Sequence, residues 1–228
     1  MDEHGRTNGT GALVGTGGLH VEAAPDAVRD LAEGCVRFVK QSLGVTLDYQ
    51  PETLSVLDHY LEQARVALQG GGKEQQQGVE PLPALLAHAA GAYFGEVVRR
   101  RYASWWRAEG DDPAFWQIQL EQVYLAFSPV QLMQEALSRV EEVLVQDEEQ
   151  AAVLEAPEKG DMAGFEMEEG DRQAIAARLA ELPEVPEAEY YAPSTRLEVI
   201  DIAVDAIRAR RMAEDEAQVL LTPEDYER

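Results

Sequence analysis

The 228-residue chain has a single cysteine, Cys35, and only three lysines, Lys40, Lys73 and Lys159. One cysteine excludes an intrachain disulfide and fits a reducing compartment. The chain has no charge-free run of about 18 apolar residues, which excludes a hydrophobic membrane span. Its most apolar stretch, LPALLAHAAGAYFGEVV, is interrupted by His88 and Glu96. The beginning, MDEHGRTNGTGALVGTGG, is acidic and lacks an apolar core, so it does not read as a secretory signal. These absences together place the protein in the cytoplasm, with no membrane partner.

Chemical signatures are equally sparse. His4, His20, His59 and His88 are scattered, with no H-x-x-x-H or H-E-x-x-H spacing and no second cysteine. No metal site and no cofactor follow from such a set. The glycines of GTGALVGTGG suggest a phosphate loop, but no lysine follows them to meet the phosphates. EGDDP and EMEEGD fail the spacing of a calcium loop, and the G-x-S-x-G nucleophile turn is absent. Cys35 falls on an apolar helix face, where a small buried thiol is the ordinary case. A Cys35–His dyad formed in space stays open. No catalytic residue is assigned, and the reading leans away from an enzyme.

Positive charge is the next scarcity. Lysine and arginine total 19 against 43 aspartates and glutamates, a formal net charge of −24. Residues 141–171 alone carry 12 acidic groups and one basic. A field of that sign repels nucleic acid and anionic membranes and suits a basic protein partner. The plain alternative is a well-solvated acidic surface.

What is present is a foldable chain. Hydrophobic residues make up 45% of it, enough for a sizeable core. Residues 1–19 are Gly- and Thr-rich and read as a flexible leader. Residues 25–43 have helical spacing through Val28, Leu31, Cys35, Phe38 and Val39, with Pro25 in the first turn and Gly44 at the C-cap. VTLDY reads as a short extended piece. A second helix starts near Pro51, and QGGGKEQQQG, 69–78, reads as a linker.

The spacing predicts a third helix over 82–101, with Leu82, Leu85, Leu86, Ala89, Tyr93 and Val97 on one face. Gly91 and Gly95 on that helix leave room for another backbone to approach. The period then changes. FWQIQLEQVYLAF, 115–127, alternates like a strand, and YASWWRAEG, 102–110, is its expected partner across an EGDDP turn. This small sheet is expected to carry all three tryptophans. Ser128-Pro129 is a helix start. Residues 146–171 read as an acidic linker with Phe165 and Met167 as anchors, followed by a short helix over 171–182. PEVPEAEYYAP reads as extended. The following stretch reads as an amphipathic helix with a Thr195/Glu198 capping box and an apolar face of Leu197, Ile200, Val204 and Ile207.

The stretch LAHAAGAYFGEVVRRRYASWW resembles a pattern in uncharacterised bacterial α+β proteins, in which a G-x-Y-x-G-E-V-x-R helix leads into a Trp-bearing strand. The matching positions are Gly91, Tyr93, Gly95, Glu96, Val97 and Arg99, followed by Trp105 or Trp106. The resemblance covers residues 28–140 and implies the fold, with no activity attached. The chain departs from it at RRRYASWW, where a glycine-containing turn is usual.

The expected class is therefore α+β, predominantly helical with one small antiparallel sheet. A core domain is placed at 20–145, an acidic linker at 146–170, and a C-terminal helical segment at 171–228. The favoured function is a non-enzymatic adaptor or an inhibitor of the immunity type, engaging a basic protein. The alternative is a ligand-binding or catalytic pocket around Tyr93, Glu96, Arg99 and Trp105. Arg99, Arg100 and Arg101 end a helix, where cations suit its dipole. They project about 100° apart, so they cannot all face one partner. At least one is expected to reach the acidic segment or another molecule. The face of Leu197, Ile200, Val204 and Ile207 is assigned to a partner groove or to the protein's own domain. Homo-oligomerisation stays open.

Overall fold

The computed structural model describes residues 23–70, 82–138, 162, 164–183, 185–217 and 219–227. The first helix, α1 (Asp26–Leu43), ends where expected. Gly44 adopts φ 72°, and its N–H bonds the Lys40 carbonyl. The VTLDY stretch forms no strand. It is irregular and ends at Tyr49, whose φ is 64°. A single 3-10 turn, Pro51–Thr53, then opens α2 (Leu54–Gly70). Residues 71–78 of the expected linker, and the 1–19 leader, lie outside the described residues.

Helix α3 (Leu82–Arg101) occupies its expected span, but it is not amphipathic. From Leu86 to Arg99 every residue is buried except half-buried Glu96. It is the central helix of the fold, hydrophobic all round because it is surrounded. Leu82, expected on its buried face, is exposed instead. The small residues decide how closely neighbours approach. A Cβ on Gly91 would lie 2.6 Å from the Val130 Cα, so the next helix packs here backbone to backbone.

The sheet has four antiparallel strands in the order β1 (Ser104–Arg107), β2 (Gln117–Leu120), β3 (Leu125–Phe127) and β4 (Phe165–Met167). β1 pairs with β2 as Trp105↔Gln119 and Trp106↔Ile118. The alternation over 115–127 therefore hides a break: residues 121–124 turn the chain back between two short strands. The reason is non-local. Tyr226, near the far end of the chain, places its hydroxyl inside that turn. The hydroxyl is 2.7 Å from the Leu120 carbonyl and 3.0 Å from that of Val123, and it accepts the Leu125 N–H at 3.0 Å. Trp105 and Trp106 lie in β1, whereas Trp116 sits just before β2 and donates to the Gly110 carbonyl.

Helix α4 (Pro129–Ser138) starts at the expected cap, Ser128, whose Oγ accepts the Gln131 N–H at 3.3 Å. Strand β4 falls inside the stretch read as an acidic linker. Phe165 anchors it against Phe127, with ring centroids 5.0 Å apart. Residues 146–161 of that stretch lie outside the described residues. Helix α5 (Glu169–Ala180) follows, and α6 (Glu187–Tyr190) is a short helix where an extended segment was expected. Last come α7 (Pro193–Ala213) and a 3-10 turn, Pro223–Tyr226.

Helix α7 begins at Pro193, before Thr195, and no Thr195/Glu198 capping box forms. Its cap comes from another helix. Asp58 of α2 accepts the Ser194 N–H at 3.0 Å and the Ser194 hydroxyl at 2.5 Å. Leu197, Ile200, Val204 and Ile207 are all buried in one core with Val28, Leu57, Phe94, Ile118 and Phe127. Of the two destinations left open for this face, a partner groove or the protein's own domain, it occupies the second: its partner is this chain. The molecule is α+β, predominantly helical, with one small antiparallel sheet. Among the described residues no helix is long and apolar enough to cross a membrane.

Candidate functional site

The three arginines that end α3 separate as the helix period requires, and each has its own destination. Arg99 is buried, 2% exposed, and its guanidinium lies 3.3 Å from Glu96 one turn earlier. Arg100 turns the other way. It stacks on the Tyr49 ring at 3.9 Å and donates to the Asp48 carbonyl. Arg101 reaches α7 and donates two hydrogen bonds, both 2.7 Å, to the Asp201 carboxylate. Tyr102 donates to the same carboxylate at 2.5 Å. Burial, and then the bond to Asp201, push the Tyr102 phenol up to about 12. Arg101 thus meets a carboxylate of α7, in the C-terminal segment and outside the 141–171 stretch that was one of the destinations expected for an arginine of this run.

Glu96 is the other end of this cluster. Its Oε1 accepts the Trp106 indole N–H at 2.8 Å and faces Arg99. Gly95 makes this possible: a Cβ there would lie 2.3 Å from the Trp106 ring. Tyr93 points elsewhere. Its hydroxyl accepts the Tyr49 N–H at 3.0 Å and shares a hydrogen bond of 2.9 Å with Thr53. Trp105 lies on a third side, donating to Gln119 at 2.7 Å and meeting the Tyr226 ring edge-on. The expected pocket of Tyr93, Glu96, Arg99 and Trp105 is therefore not assembled. Successive strand residues face opposite ways, so Trp106 rather than Trp105 reaches Glu96. Cys35 is also set aside, because burial pushes its thiol up to about 12 and disfavours the nucleophilic thiolate.

Two features of the surface were not read from the sequence. The first is a cleft of about 540 Å³ where α2 meets the start of α7. It holds the Asp58–Ser194 contact, His59, and buried Arg65, whose guanidinium is 2.6 Å from Glu62. Burial raises the Asp58 carboxyl, its bonds from Ser194 oppose that, and nearby Glu198 adds to it. This carboxylate is engaged in holding a helix end. Gathering it required α2 and α7, 136 residues apart in sequence, to pack together.

The second feature is how positive charge is distributed. Among the described residues every arginine except Arg100 lies within ion-pair distance of a carboxylate of this chain. Arg196 shows the pattern: it is buried between the Tyr190 and Tyr191 rings and bonded to Glu135 at 2.7 Å. Meanwhile Asp30, Glu52, Asp111 and Glu227 stand exposed with no cation at that distance among the described residues. Pairing within the chain takes up the described arginines other than Arg100, while exposed Lys40 meets no carboxylate at that distance among the described residues, and an excess of carboxylates remains outside.

Comparison with protein-family models, with curated proteins and with solved structures finds no match to this chain.

Proposed function

We propose that this chain is a non-enzymatic interaction protein that engages a basic protein partner through its acidic surface. The observation that carries this reading is the internal pairing of its arginines against a net charge of −24. A partner approaching such a surface meets carboxylates with few competing cations. Long-range attraction then speeds encounter, and fails as salt screens it beyond about 8–10 Å. An adaptor and an inhibitor that neutralises a basic target are the two forms this takes, in a cytoplasmic setting. The α3 residues that would serve a small ligand are engaged in bonds within the chain, which weighs against the catalytic alternative.

The test is affinity capture from a native lysate at low and at high salt, read by mass spectrometry. The expected result is one dominant basic protein, retained at low salt and released at high salt. An empty capture at low salt overturns the reading.

A further inference from the structure

We infer that the groove between α5 and α7 is where this partner docks, and that the occupant is an amphipathic helix with basic flanks. The inference rests on the interaction reading above and gives it a location. The two helices run antiparallel. Asp171 at the start of α5 bonds Arg210 near the end of α7, while Leu179 and Leu182 lie beside Val199. Two hollows lie end to end along their seam. One, of about 310 Å³, is apolar and lined by Leu179, Leu182, Val185, Val199 and Ile202. The other, of about 500 Å³, is floored by Ala174, Ala177, Ala206 and Ala209. On α7 both open onto one stripe, Thr195, Glu198, Ile202, Asp205 and Ala209, whose three- and four-residue spacing keeps it on one side of the helix.

Length, shape and charge select the occupant. The stripe spans about 21 Å at 1.5 Å per residue, four turns of a docked helix. Alanines along one half let a second helix backbone come close, and the apolar half receives large side chains. The rim is acidic where it is available. Arg178 is held by Glu181 at 2.5 Å, and Arg210 by Asp171 at 2.7 Å and Glu214 at 2.6 Å. Glu198 and Asp205 are both exposed, and Asp205 has only a loose 3.9 Å contact with Arg208. Residues 139–161 of this chain, with eight acidic groups and two basic, carry the wrong sign for that rim. So does a second copy of the chain.

The experiment titrates isotopically labelled full chain with two synthetic amphipathic peptides of about 15 residues, long enough to form a helix. Both carry the same leucine stripe, one with lysine flanks and one with glutamate. The lysine peptide is expected to shift the amide signals of Ala177, Val199, Ile202 and Asp205, and the glutamate peptide is not expected to bind. Ala177→Trp and Ala209→Trp fill the groove at exposed positions and should each weaken binding about tenfold or more with unchanged circular dichroism. Glu198→Gln with Asp205→Asn should weaken it without adding bulk. Shifts scattered over the whole acidic surface, or full affinity in these variants, overturn the inference. Repeating the lysate capture separates the two claims. A salt-released basic partner held equally by wild type and Ala209→Trp overturns the groove and leaves the interaction reading standing. A capture empty for both overturns the reading and the groove with it.

Discussion

Glu96 of α3 accepts the indole N–H of Trp106 at 2.8 Å, across a turn that Gly95 keeps clear of side chain. This bond ties the central helix to the first strand. It also holds the carboxylate beside Arg99, whose guanidinium is 2% exposed. A residue that resembles a surface helix-end charge is thus part of an interior polar cluster, and its removal should behave accordingly.

Glu96→Ala should destabilise the protein by about 3 kcal/mol or more, because it takes the carboxylate away from a buried guanidinium and an acceptor from a buried indole. Glu96→Gln, which keeps an acceptor for Trp106, should cost less. Urea denaturation of both variants measures the difference. A loss within about 1 kcal/mol for the alanine variant would place Glu96 among ordinary surface charges.

The helical glycines should respond with opposite signs. Alanine is favoured over glycine inside a helix by about 1 kcal/mol. At Gly34 the added Cβ meets nothing closer than an Arg37 nitrogen at 3.8 Å, so Gly34→Ala should raise the melting temperature. At Gly91 it would sit 2.6 Å from the Val130 backbone, and at Gly95 2.3 Å from Trp106. Both alanine variants should melt below wild type, Gly91→Ala more severely because backbone cannot move aside as a side chain can.

Tyr226→Phe should cost about 1–3 kcal/mol, since it leaves the Leu125 N–H and the Leu120 carbonyl without the hydroxyl they share. Hydrogen exchange localises the effect: protection should fall first at Leu125, inside the turn between β2 and β3. Unchanged protection there would mean that the turn holds itself.

Asp58 predicts a pH dependence. Burial raises its carboxyl above the ordinary value in the folded protein. A raised folded value means the folded state binds the proton more readily than the unfolded chain does. The stability linked to it is therefore full below the ordinary carboxylate range and is lost as pH rises through the folded value. Wild type should accordingly gain stability relative to Asp58→Asn as pH is lowered from 7 toward about 4. Parallel chemical denaturation of the two proteins across that range checks it, and a difference that shrinks on acidification contradicts it.

Much of the fold was legible locally. Helix α3 has the residue range its spacing predicts, Gly44 and Ser128 cap where they should, and Phe165 anchors its segment. These depend on periodicity, caps and turn residues, which act over a few positions. The strand expected over 115–127 failed because its alternation continues through a break set by Tyr226, about a hundred residues away. The Thr195/Glu198 box failed because Asp58 supplies the cap from another helix, which makes a local box unnecessary.

By itself the sequence determined composition-level properties: the acidic field, the helical class, and the impossibility of three successive arginines sharing one direction. Arginine pairs one helical turn apart, such as Arg99 with Glu96, follow from spacing, whereas only the tertiary structure decided which distant carboxylate an arginine meets. Arg101 finds Asp201 on α7, Trp106 rather than its neighbour finds Glu96, and Leu197, Ile200, Val204 and Ile207 turn inward. The physical reason is that periodicity sets the direction a side chain takes from its own element. The group waiting in that direction is set by how distant elements pack.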